Sequence, residues 1–417
     1  MKTIWILNQY NMPPEYGHLN RHYNFAKYLK RLGYNPIVLV GSYLHNTNIQ
    51  MIKDESIIRK YDESDFQYYF IKTKDYSQSR LMRIYTMFEY YLNVLKVSDN
   101  LDKPDVIIGS TAHPFAAVAA IKLGKKYGCK SIVEVRDLWP ESFVAYGIVS
   151  RKNPFLRLLY AGEKWIYKNA DKLVFTMEGG KDYIIEQGWD KKNGGPIDIN
   201  KIHHINNGVD LEVFNYNKEH YTLEDKDLDN KDSFKVIYTG SIRLVNNVKS
   251  IVDAAFEIKK LGFEDIKFII YGDGSDKAPL EKYCIDNGLD NVVFKGFIDK
   301  KYIPNILSKS NLNIIHFEQN KIKKFGASLN KMFEYFASGK PTLSDCEFGY
   351  DLINKYKCGV VIDNADAKRM SKEIIKIKEL DVAQYNELCT NALYAARDYD
   401  FKNLSKNLVE VLGGKNQ

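Results

Sequence analysis

The feature that most constrains the fold of this 417-residue chain is an alternation of short apolar runs with helical hydrophobic periodicity. Parallel sheets covered by helices produce this alternation, because a crossover helix follows each buried strand. The pattern occurs twice. In the first half we expect strands at residues 3–7, 36–40, 105–109, 131–135, 172–175 and 201–205. In the second half we expect them at residues 234–238, 266–271, 292–294, 312–316 and 341–343.

The repeated pattern predicts an α/β fold with two doubly wound Rossmann-like domains. We expect an N-terminal domain over residues 1–215 and a C-terminal domain over residues 216–399, with a helix at about 400–417 that can pack back on the first domain. Residues 216–232 carry six acidic side chains and no hydrophobic period, which indicates a linker. Such sheets bind ligands at the carboxyl ends of their strands, so the two sets of ends could line one cleft.

The net charge of +7 is confined to the first half of the chain. Residues 1–210 hold 29 Lys and Arg against 22 Asp and Glu, whereas the remainder is balanced. A basic half can face phosphates, nucleic acid or an anionic membrane, and solvated lysine explains it equally well. Because no RNA- or DNA-binding motif is recognised, we expect no nucleic-acid partner.

Cysteine spacing and the length of the apolar runs exclude other classes of protein. The five cysteines are scattered and form no Cys/His cluster, which favours a reducing compartment over a disulfide frame or a zinc site. No run reaches the roughly 18 to 20 apolar residues of a membrane-spanning helix. We therefore expect a cytoplasmic protein that could lie peripherally at the inner membrane face. Residues 80–96 are apolar on more than one face and basic near both ends, so they could rest on anionic lipid; a core helix is the alternative.

Three segments of the first half place polar side chains after predicted strands. The loop at 12–21 contains Gly17, which would let a phosphate or sugar approach the backbone, and Arg21 as a cation. His113 follows the third strand and could be a base, an acid or a sugar partner. In residues 134–141, a Trp beside carboxylates suits a saccharide. The alternatives are a plain turn, a capping histidine and an Arg–Asp pair.

The strongest candidate segment lies at residues 325–337. Ser328 is a natural N-cap, so the start of the helix would present free N–H groups, and Lys331 adds a positive charge in the first turn. Together they predict an anion site suited to a diphosphate, with Glu334 one turn further on to accept hydrogen bonds from a ribose diol. Arg243, after the first strand of this half, could neutralise a phosphate. The acidic run at 225–229 is interpreted as solvated charge, so no metal is predicted.

These residues match the motifs of a known family. Residues 328–341 are similar to the signature S-x-x-K-x-x-E-Y-x-A-x-G-K-P of the family 4 retaining glycosyltransferases, which have the GT-B fold. Residues 206–214 resemble that family's N-G-V-D-x-x-x-F segment, and residues 271–274 and 294–298 resemble two of its turns. The resemblance covers essentially the full chain. Residues 137–141 and His113-Pro114 look like a subgroup that builds bacterial surface polysaccharides, including transferases of N-acetylfucosamine type.

The resemblance implies a role for each matching residue. Glu334 would hold the ribose, Lys331 and Arg243 the diphosphate, and His113 would contact the sugar beside the reacting carbon. We take His113, Arg243 and Lys331 as the catalytic candidates. The other implied donor-binding residues are Gly17, Asn246, Asn247, Gly272, Asp273, Phe297, Ile298, Gly326, Ala327, Ser328 and Leu329. The candidate acceptor-binding residues are His18, Arg21, Asp137, Trp139 and Glu141.

The resemblance implies a retaining transferase that moves a sugar from a nucleotide diphosphate donor, expected to be a UDP-sugar, to a saccharide acceptor. The acceptor is expected to be lipid-linked, and neither a cofactor nor a metal is expected. Many family members carry a second glutamate where this chain has Gly326, and an Arg where it has Ser241. A nucleotide-sugar epimerase of the same fold and a non-catalytic glycan-binding protein are the alternatives, because fold does not fix function.

Overall fold

The computed structural model describes residues 1–17, 19–77, 79–243, 246–317, 320–363 and 366–414, and of Arg80 only the backbone. The chain divides into two compact units. The first unit comprises Met1–Asn206 and Phe401–Gln417, and the second comprises Asn207–Asp400. The first unit therefore ends at Asn206 rather than at residue 215, because Asn207 and Val209 bond within the second unit, to Ser328 and Asp400.

The first unit contains one eight-stranded sheet. Its strands are β1 Thr3–Leu7, β2 Asn35–Gly41, β3 Ile58–Lys60, β4 Gln67–Ile71, β5 Val106–Ser110, β6 Lys130–Val135, β7 Lys172–Phe175 and β8 Ile202–His204. The order is β3-β4-β2-β1-β5-β6-β7-β8, parallel except for the antiparallel pair β3–β4. Its first helices are α1 Arg21–Arg31, α2 Arg80–Val97, α3 Pro114–Tyr127, α4 Glu141–Ala145, α5 Phe155–Asn169 and α6 Gly180–Glu186.

The handedness of the crossover connections places these helices in two layers, one on each face of the sheet. The connections through α2, α3 and α5 all step towards the β8 side of the sheet, and right-handed crossovers place such helices on one face. Both α2 and α5 pack against α3. The connection from β1 to β2 steps the other way, so α1 lies on the opposite face. There it packs against the last helix, Phe401–Val411, whose first ring lies 5.3 Å from the Phe25 ring.

The second unit contains a fully parallel six-stranded sheet in the order β11-β10-β9-β12-β13-β14. Its strands are β9 Phe234–Thr239, β10 Ile266–Tyr271, β11 Val292–Gly296, β12 Leu312–Ile315, β13 Thr342–Ser344 and β14 Gly359–Val361. Its helices are α7 Leu211–His220, α8 Lys226–Asp229, α9 Lys249–Lys260, α10 Lys277–Asp286, α11 Ile303–Ser308, α12 Asn330–Ala337, α13 Leu352–Tyr356, α14 Ala367–Lys378 and α15 Val382–Asp398, and the chain's last helix is α16.

The linker predicted at residues 216–232 is wrong. This stretch contains the end of α7 and all of α8, and it belongs to the second unit. Three of its six acidic side chains form ion pairs: Lys295 Nζ lies 2.8 Å from Asp225 Oδ1 and 2.5 Å from Asp227 Oδ2. Lys309 Nζ lies 2.6 Å from Asp229 Oδ1. These ion pairs attach the segment to the edge of the sheet. Because they join polar residues that are distant in sequence, the hydrophobic periodicity does not predict them.

The α/β fold with two Rossmann-like parallel sheets is confirmed. The sequence pattern did not predict β3, β4 or β14. Strand β3 is a short, largely exposed antiparallel edge strand, and β14 is a three-residue edge strand of the second sheet. Within the described ranges, no helix is both long and apolar enough to cross a membrane.

Candidate functional site

Backbone from three neighbouring strands comes together at the carboxyl edge of the second sheet. The N–H of Gly240, after β9, donates to Tyr271 O at 3.0 Å, and the N–H of Gly272, after β10, donates to Gly296 O at 2.8 Å. A Cβ on Gly272 would lie 1.7 Å from Gly240 O, so only glycine fits there. Both glycines also have φ in the left-handed region, at 148° and 149°. The edge is therefore bare backbone that a ligand can approach closely.

Lys331 brings a cation to this backbone. A Cβ on Gly240 would lie 2.8 Å from Lys331 Nζ, so the ammonium group sits directly over the glycine. The ammonium donates to Tyr238 Oη at 3.1 Å and lies 4.3 Å from the centroid of the same ring. Burial lowers the pKa of Lys331 to about 8, and the charge of Glu334 only partly offsets this. The phenol is a neutral partner, so the site has positive charge that an anion would stabilise.

Helix α12 holds Lys331 and Glu334 on one side by burying the other. Phe333 and Phe336 are fully buried, and the Tyr335 hydroxyl accepts the Thr239 N–H at 2.9 Å, which ties the helix to the end of β9. Glu334 lies one turn after Lys331, and its Oε1 is 3.2 Å from Lys300 Nζ. A ribose-binding role for Glu334 would require this partly exposed ion pair to open or to be shared.

Ser328 does not cap α12, contrary to the prediction. The N-cap position is Leu329, and no side chain caps it. Ser328 Oγ instead accepts the backbone N–H of Asn207 at 3.1 Å. The Asn207 side-chain amide donates to Ser328 O at 3.2 Å and to Asn330 Oδ1 at 2.9 Å. Asn207 therefore fixes the loop that leads into α12.

Asn207 is a positioning residue that our reading of the sequence did not assign. The sequence does mark this residue, because Asn207 begins the N-G-V-D segment that resembles the family motif. Its contacts with Ser328 and Asn330 span more than 120 residues of sequence, so no local pattern could identify them.

The remaining predicted donor residues occupy the loops around this edge. Arg243, Asp273 and Phe297 are exposed, Phe297 with 76% of its surface accessible. Asn246 folds back on its own loop, donating to Ser241 Oγ at 2.6 Å, and Asn247 donates to Ser250 Oγ at 2.9 Å. The half-buried residues of the group are Ile298, Gly326, Ala327 and Leu329. Gly326 has φ of 96°, a conformation that the glutamate of other family members would adopt only with strain.

In the first unit, Arg21 is buried rather than presented to a ligand. Its Nε lies 2.8 Å from Glu134 Oε1, and its guanidinium also donates to Ile205 O at 2.8 Å. His22 Nε2 lies 2.7 Å from the other Glu134 oxygen. Burial alone would raise the pKa of Glu134, but the charges of Arg21 and His22 hold it well below its usual range. Arg21 thus neutralises a buried carboxylate, and its predicted role in acceptor binding is not supported.

Other residues of the predicted first loop are only partly described. Gly17 has φ of 157°, and a Cβ there would lie 2.6 Å from Met12 Sδ. The close approach to Met12 explains the glycine without any ligand. His18 lies outside the described residues.

His113 lies at the end of β5 but is fully buried. It occupies the N-cap position of α3 without a side-chain cap, and Tyr10 and Tyr90 pack edge-on against its ring. Neither ring nitrogen has a hydrogen-bond partner among the described residues. Burial, with a smaller contribution from Arg83, lowers the pKa of His113 to about 3. The ring is therefore neutral at physiological pH, which suits a hydrogen-bond partner better than a general acid.

The segment after β6 is divided between surface and interior. Asp137 is exposed, and Trp139 packs edge-on against Phe143 with ring centroids 4.5 Å apart. Glu141 is buried and pairs with Arg151 and with the Tyr160 hydroxyl. The ion pair found here joins Glu141 to the exposed Arg151, rather than the Arg–Asp pair of the alternative interpretation. Glu141 is therefore committed to this pair rather than open to an acceptor.

Comparison with protein families matches the two halves of the chain separately. Residues 222–398 match the family described as Glycosyl transferases group 1, and residues 20–213 match the family described as Glycosyltransferase Family 4. The chain has the GT-B glycosyltransferase fold. Solved structures agree with this assignment over the whole length of this GT-B chain.

Two of those structures are sucrose-phosphate synthase from Thermosynechococcus elongatus and Anabaena HepE in complex with UDP and glucose. The first is 16% identical with a TM-score of 0.69, covering 99% of this chain and 98% of its own. The second is 14% identical with a TM-score of 0.64, covering 99% and 100%. At these identities the likeness concerns the fold.

Two curated relatives are named as glycosyltransferases. WcaI of Escherichia coli (strain K12), named for colanic acid biosynthesis, is 24% identical over 51% of this GT-B chain and 51% of its own. TuaH of Bacillus subtilis (strain 168), named for teichuronic acid biosynthesis, is 25% identical over 51% and 49%. The match thus spans about half the length of these relatives.

Proposed function

We propose that the protein transfers a sugar from a nucleotide diphosphate donor to a saccharide acceptor in polysaccharide biosynthesis. The observation that carries the proposal is the Lys331 ammonium held over Gly240 at the carboxyl edge of the second sheet. Its hydrogen-bond partner is the neutral Tyr238 phenol, and the Gly240 backbone lies directly beneath it. The names of WcaI and TuaH support the same activity and process.

The chemistry follows from charge development on the leaving group. As the glycosidic bond to the diphosphate breaks, negative charge grows on the phosphate oxygens. A cation that is already in place and poorly hydrated stabilises this charge without reorganising. Lys331 supplies that cation, Arg243 adds a second from an exposed loop, and Glu334 orients the nucleoside through its ribose. These cations make a metal unnecessary, so transfer should continue in EDTA; strict Mg²⁺ dependence would contradict this.

The finer assignments are a UDP-sugar donor and retention of the anomeric configuration. UDP is supported by the ligand of Anabaena HepE, which has the same fold. Retention and a donor sugar of N-acetylfucosamine type rest on the family resemblance of residues 137–141 and His113-Pro114. We assign no protein nucleophile. The acceptor is proposed to be lipid-linked, because the first unit carries the basic excess and an exposed apolar helix, α2.

The test is a thermal-shift screen against nucleotide diphosphates and then sugar nucleotides, followed by product analysis. Binding stabilises the folded state by mass action, so UDP and one UDP-sugar should raise the melting temperature most. The matched donor should then give a disaccharide product whose anomeric proton coupling equals that of the donor linkage. Inversion would remove the retaining assignment alone. Conversion of the donor without an acceptor would favour an epimerase, which neither family match supports.

A further inference from the structure

Helix α5 exposes large apolar side chains along one face. Phe155 and Leu158 are each 64% exposed, and Leu159 and Trp165 are 41% and 42% exposed. The opposite side of the helix is buried in the core at residues such as Leu156 and Tyr167. The spacing of the exposed residues follows the helical repeat, so they form one stripe rather than scattered surface positions.

The charged side chains at the surface of α5 are basic. Arg151, just before the helix, is paired with Glu141. Residues 152–169 contain the basic side chains Lys152, Arg157, Lys164 and Lys168. Their one acidic residue, Glu163, is buried and accepts hydrogen bonds from the Tyr167 and Tyr183 hydroxyls at 2.8 and 2.9 Å. Burial raises the pKa of Glu163 well above its usual range, so it brings no negative charge to the surface. The exposed face of α5 is therefore apolar and basic.

Helix α2 presents a second stripe in the same layer of the first unit. Leu81 is 79% exposed, Ile84 57% and Phe88 43%, while Tyr90 and Val94 face the core. Because α2 and α5 both pack against α3, the two stripes flank one helix. The outward residues of α3 include the exposed Lys125 and Lys122, whose ammonium donates to the Tyr91 hydroxyl, while the exposed Lys126 is paired with Asp99. Both stripes are densest at the helix N-termini, which in crossover helices lie towards the carboxyl edge of the sheet.

We propose that α2 and α5 form a docking face for the interface of an anionic lipid bilayer. Such an interface offers hydrocarbon to the apolar side chains and phosphate headgroups to the lysines and arginines at nearly the same depth. An apolar face with a basic border and no exposed acid on α5 complements that surface. The face would bring the first unit to a lipid-linked acceptor, but vesicle binding requires neither donor nor transfer. Its failure would therefore leave the proposed activity standing.

The first experiment measures co-sedimentation of the full chain with vesicles containing about 30% phosphatidylglycerol, and with neutral vesicles, at about 0.15 M salt. We expect binding to the anionic vesicles only. The double substitution Leu158→Asp with Leu159→Asp should reduce the vesicle-bound fraction at least tenfold. The matched control is Ile285→Asp on α10, because Ile285 is 80% exposed but lies in the second unit. It should bind like the wild type.

A second measurement places α5 at the bilayer. Of the four tryptophans, Trp5 and Trp189 are buried, and Trp139 is half-buried against Phe143. Trp165 lies in the stripe, so brominated phospholipid should quench mainly Trp165 fluorescence. Trp165→Phe should remove most of that quenching while the protein still sediments. The proposal would be overturned if the wild-type protein did not bind anionic vesicles, or if the quenching were unchanged in Trp165→Phe. A dimer in solution that the Leu158/Leu159 variant dissociates would also overturn it, since a second copy would then cover the face.

Discussion

Two cations, the buried Arg21 and the half-buried Lys331, lie near the carboxyl edges of the two sheets, and their surroundings differ. Arg21 in the first unit is paired with the Glu134 carboxylate, whereas Lys331 in the second is paired with the neutral Tyr238 phenol. The first arrangement satisfies the charge internally. The second leaves it available to an anion, at the cost of a lowered pKa. Burial of a cation therefore does not by itself distinguish a structural cation from one that can bind an anion, whereas the charge of its partner does.

His113 is a third titratable side chain near a sheet edge, and its surroundings differ from those of Arg21 and Lys331. It has neither a counter-charge nor a hydrogen-bond partner among the described residues, and it stays neutral because its pKa is lowered to about 3. These three residues predict three different responses to mutation and pH.

The largest effect is expected from Arg21→Met, which leaves the Glu134 carboxylate buried without its main partner. Removing one member of a buried ion pair typically costs about 3–5 kcal/mol. Urea denaturation should show a loss of that size. The double variant Arg21→Met with Glu134→Gln should recover much of it, because no charge then remains buried. A loss below about 1 kcal/mol in the single variant would mean that the pair is not structural.

The pH dependence of stability tests His113. Its pKa is lower in the folded state, so between about pH 6.5 and 3 the unfolded state binds the extra proton. Stability contributed by the neutral ring is present above about pH 6.5 and is lost as the pH falls, by up to about 1.4 kcal/mol per pH unit. His113→Phe should flatten this part of the curve relative to wild type, and the exposed His220→Phe should not. Parallel curves for wild type and His113→Phe would contradict the assignment.

Lys331→Ala should behave in the opposite way to Arg21→Met. Removing an ammonium that burial disfavours should leave the free energy of unfolding unchanged or raise it. Transfer should nevertheless fall at least tenfold, about 1.4 kcal/mol of transition-state stabilisation. Glu334→Ala should also lose at least tenfold. Full transfer activity in either variant, measured at saturating donor and at low donor, would remove that residue from the site.

The smallest effect is expected from Lys300→Ala. The Lys300–Glu334 pair is partly exposed, and such pairs contribute about 0–1 kcal/mol. Donor KM should change less than about fivefold, with a melting temperature close to wild type. A change as large as that of Glu334→Ala would show that Lys300 itself binds the donor.

The sequence pattern predicted those features that depend on residues close together in sequence. Buried parallel strands such as Thr3–Leu7 and Ile266–Tyr271 read as apolar runs because both of their faces are covered. Lys331 and Glu334 could be placed together because they lie one turn apart on an amphipathic helix. Ser328 was misassigned because a serine before a helix is a natural cap, and its real partner, Asn207, is distant in sequence.

Long-range pairing also explains the error at Arg21. An arginine after a strand–helix turn resembles a ligand-binding cation until Glu134, 113 residues later, is placed against it. The ion pairing of residues 225–229 could not be predicted for the same reason, since the partner Lys295 is about 70 residues away on strand β11.

Lys331 is proposed as a cation that binds the diphosphate of the donor, and calorimetry of UDP binding as a function of pH measures whether its charge is needed. With its pKa near 8, Lys331 in the free protein loses its proton as the pH rises. UDP affinity should therefore be steady between about pH 6.5, above which the terminal phosphate is ionised, and about pH 7.5. It should then weaken towards tenfold per pH unit above about pH 8, with proton uptake on binding. Lys331→Ala should bind UDP weakly and without this pH dependence. Tight, pH-independent binding of UDP to both proteins would show that the Lys331 charge does not bind the diphosphate.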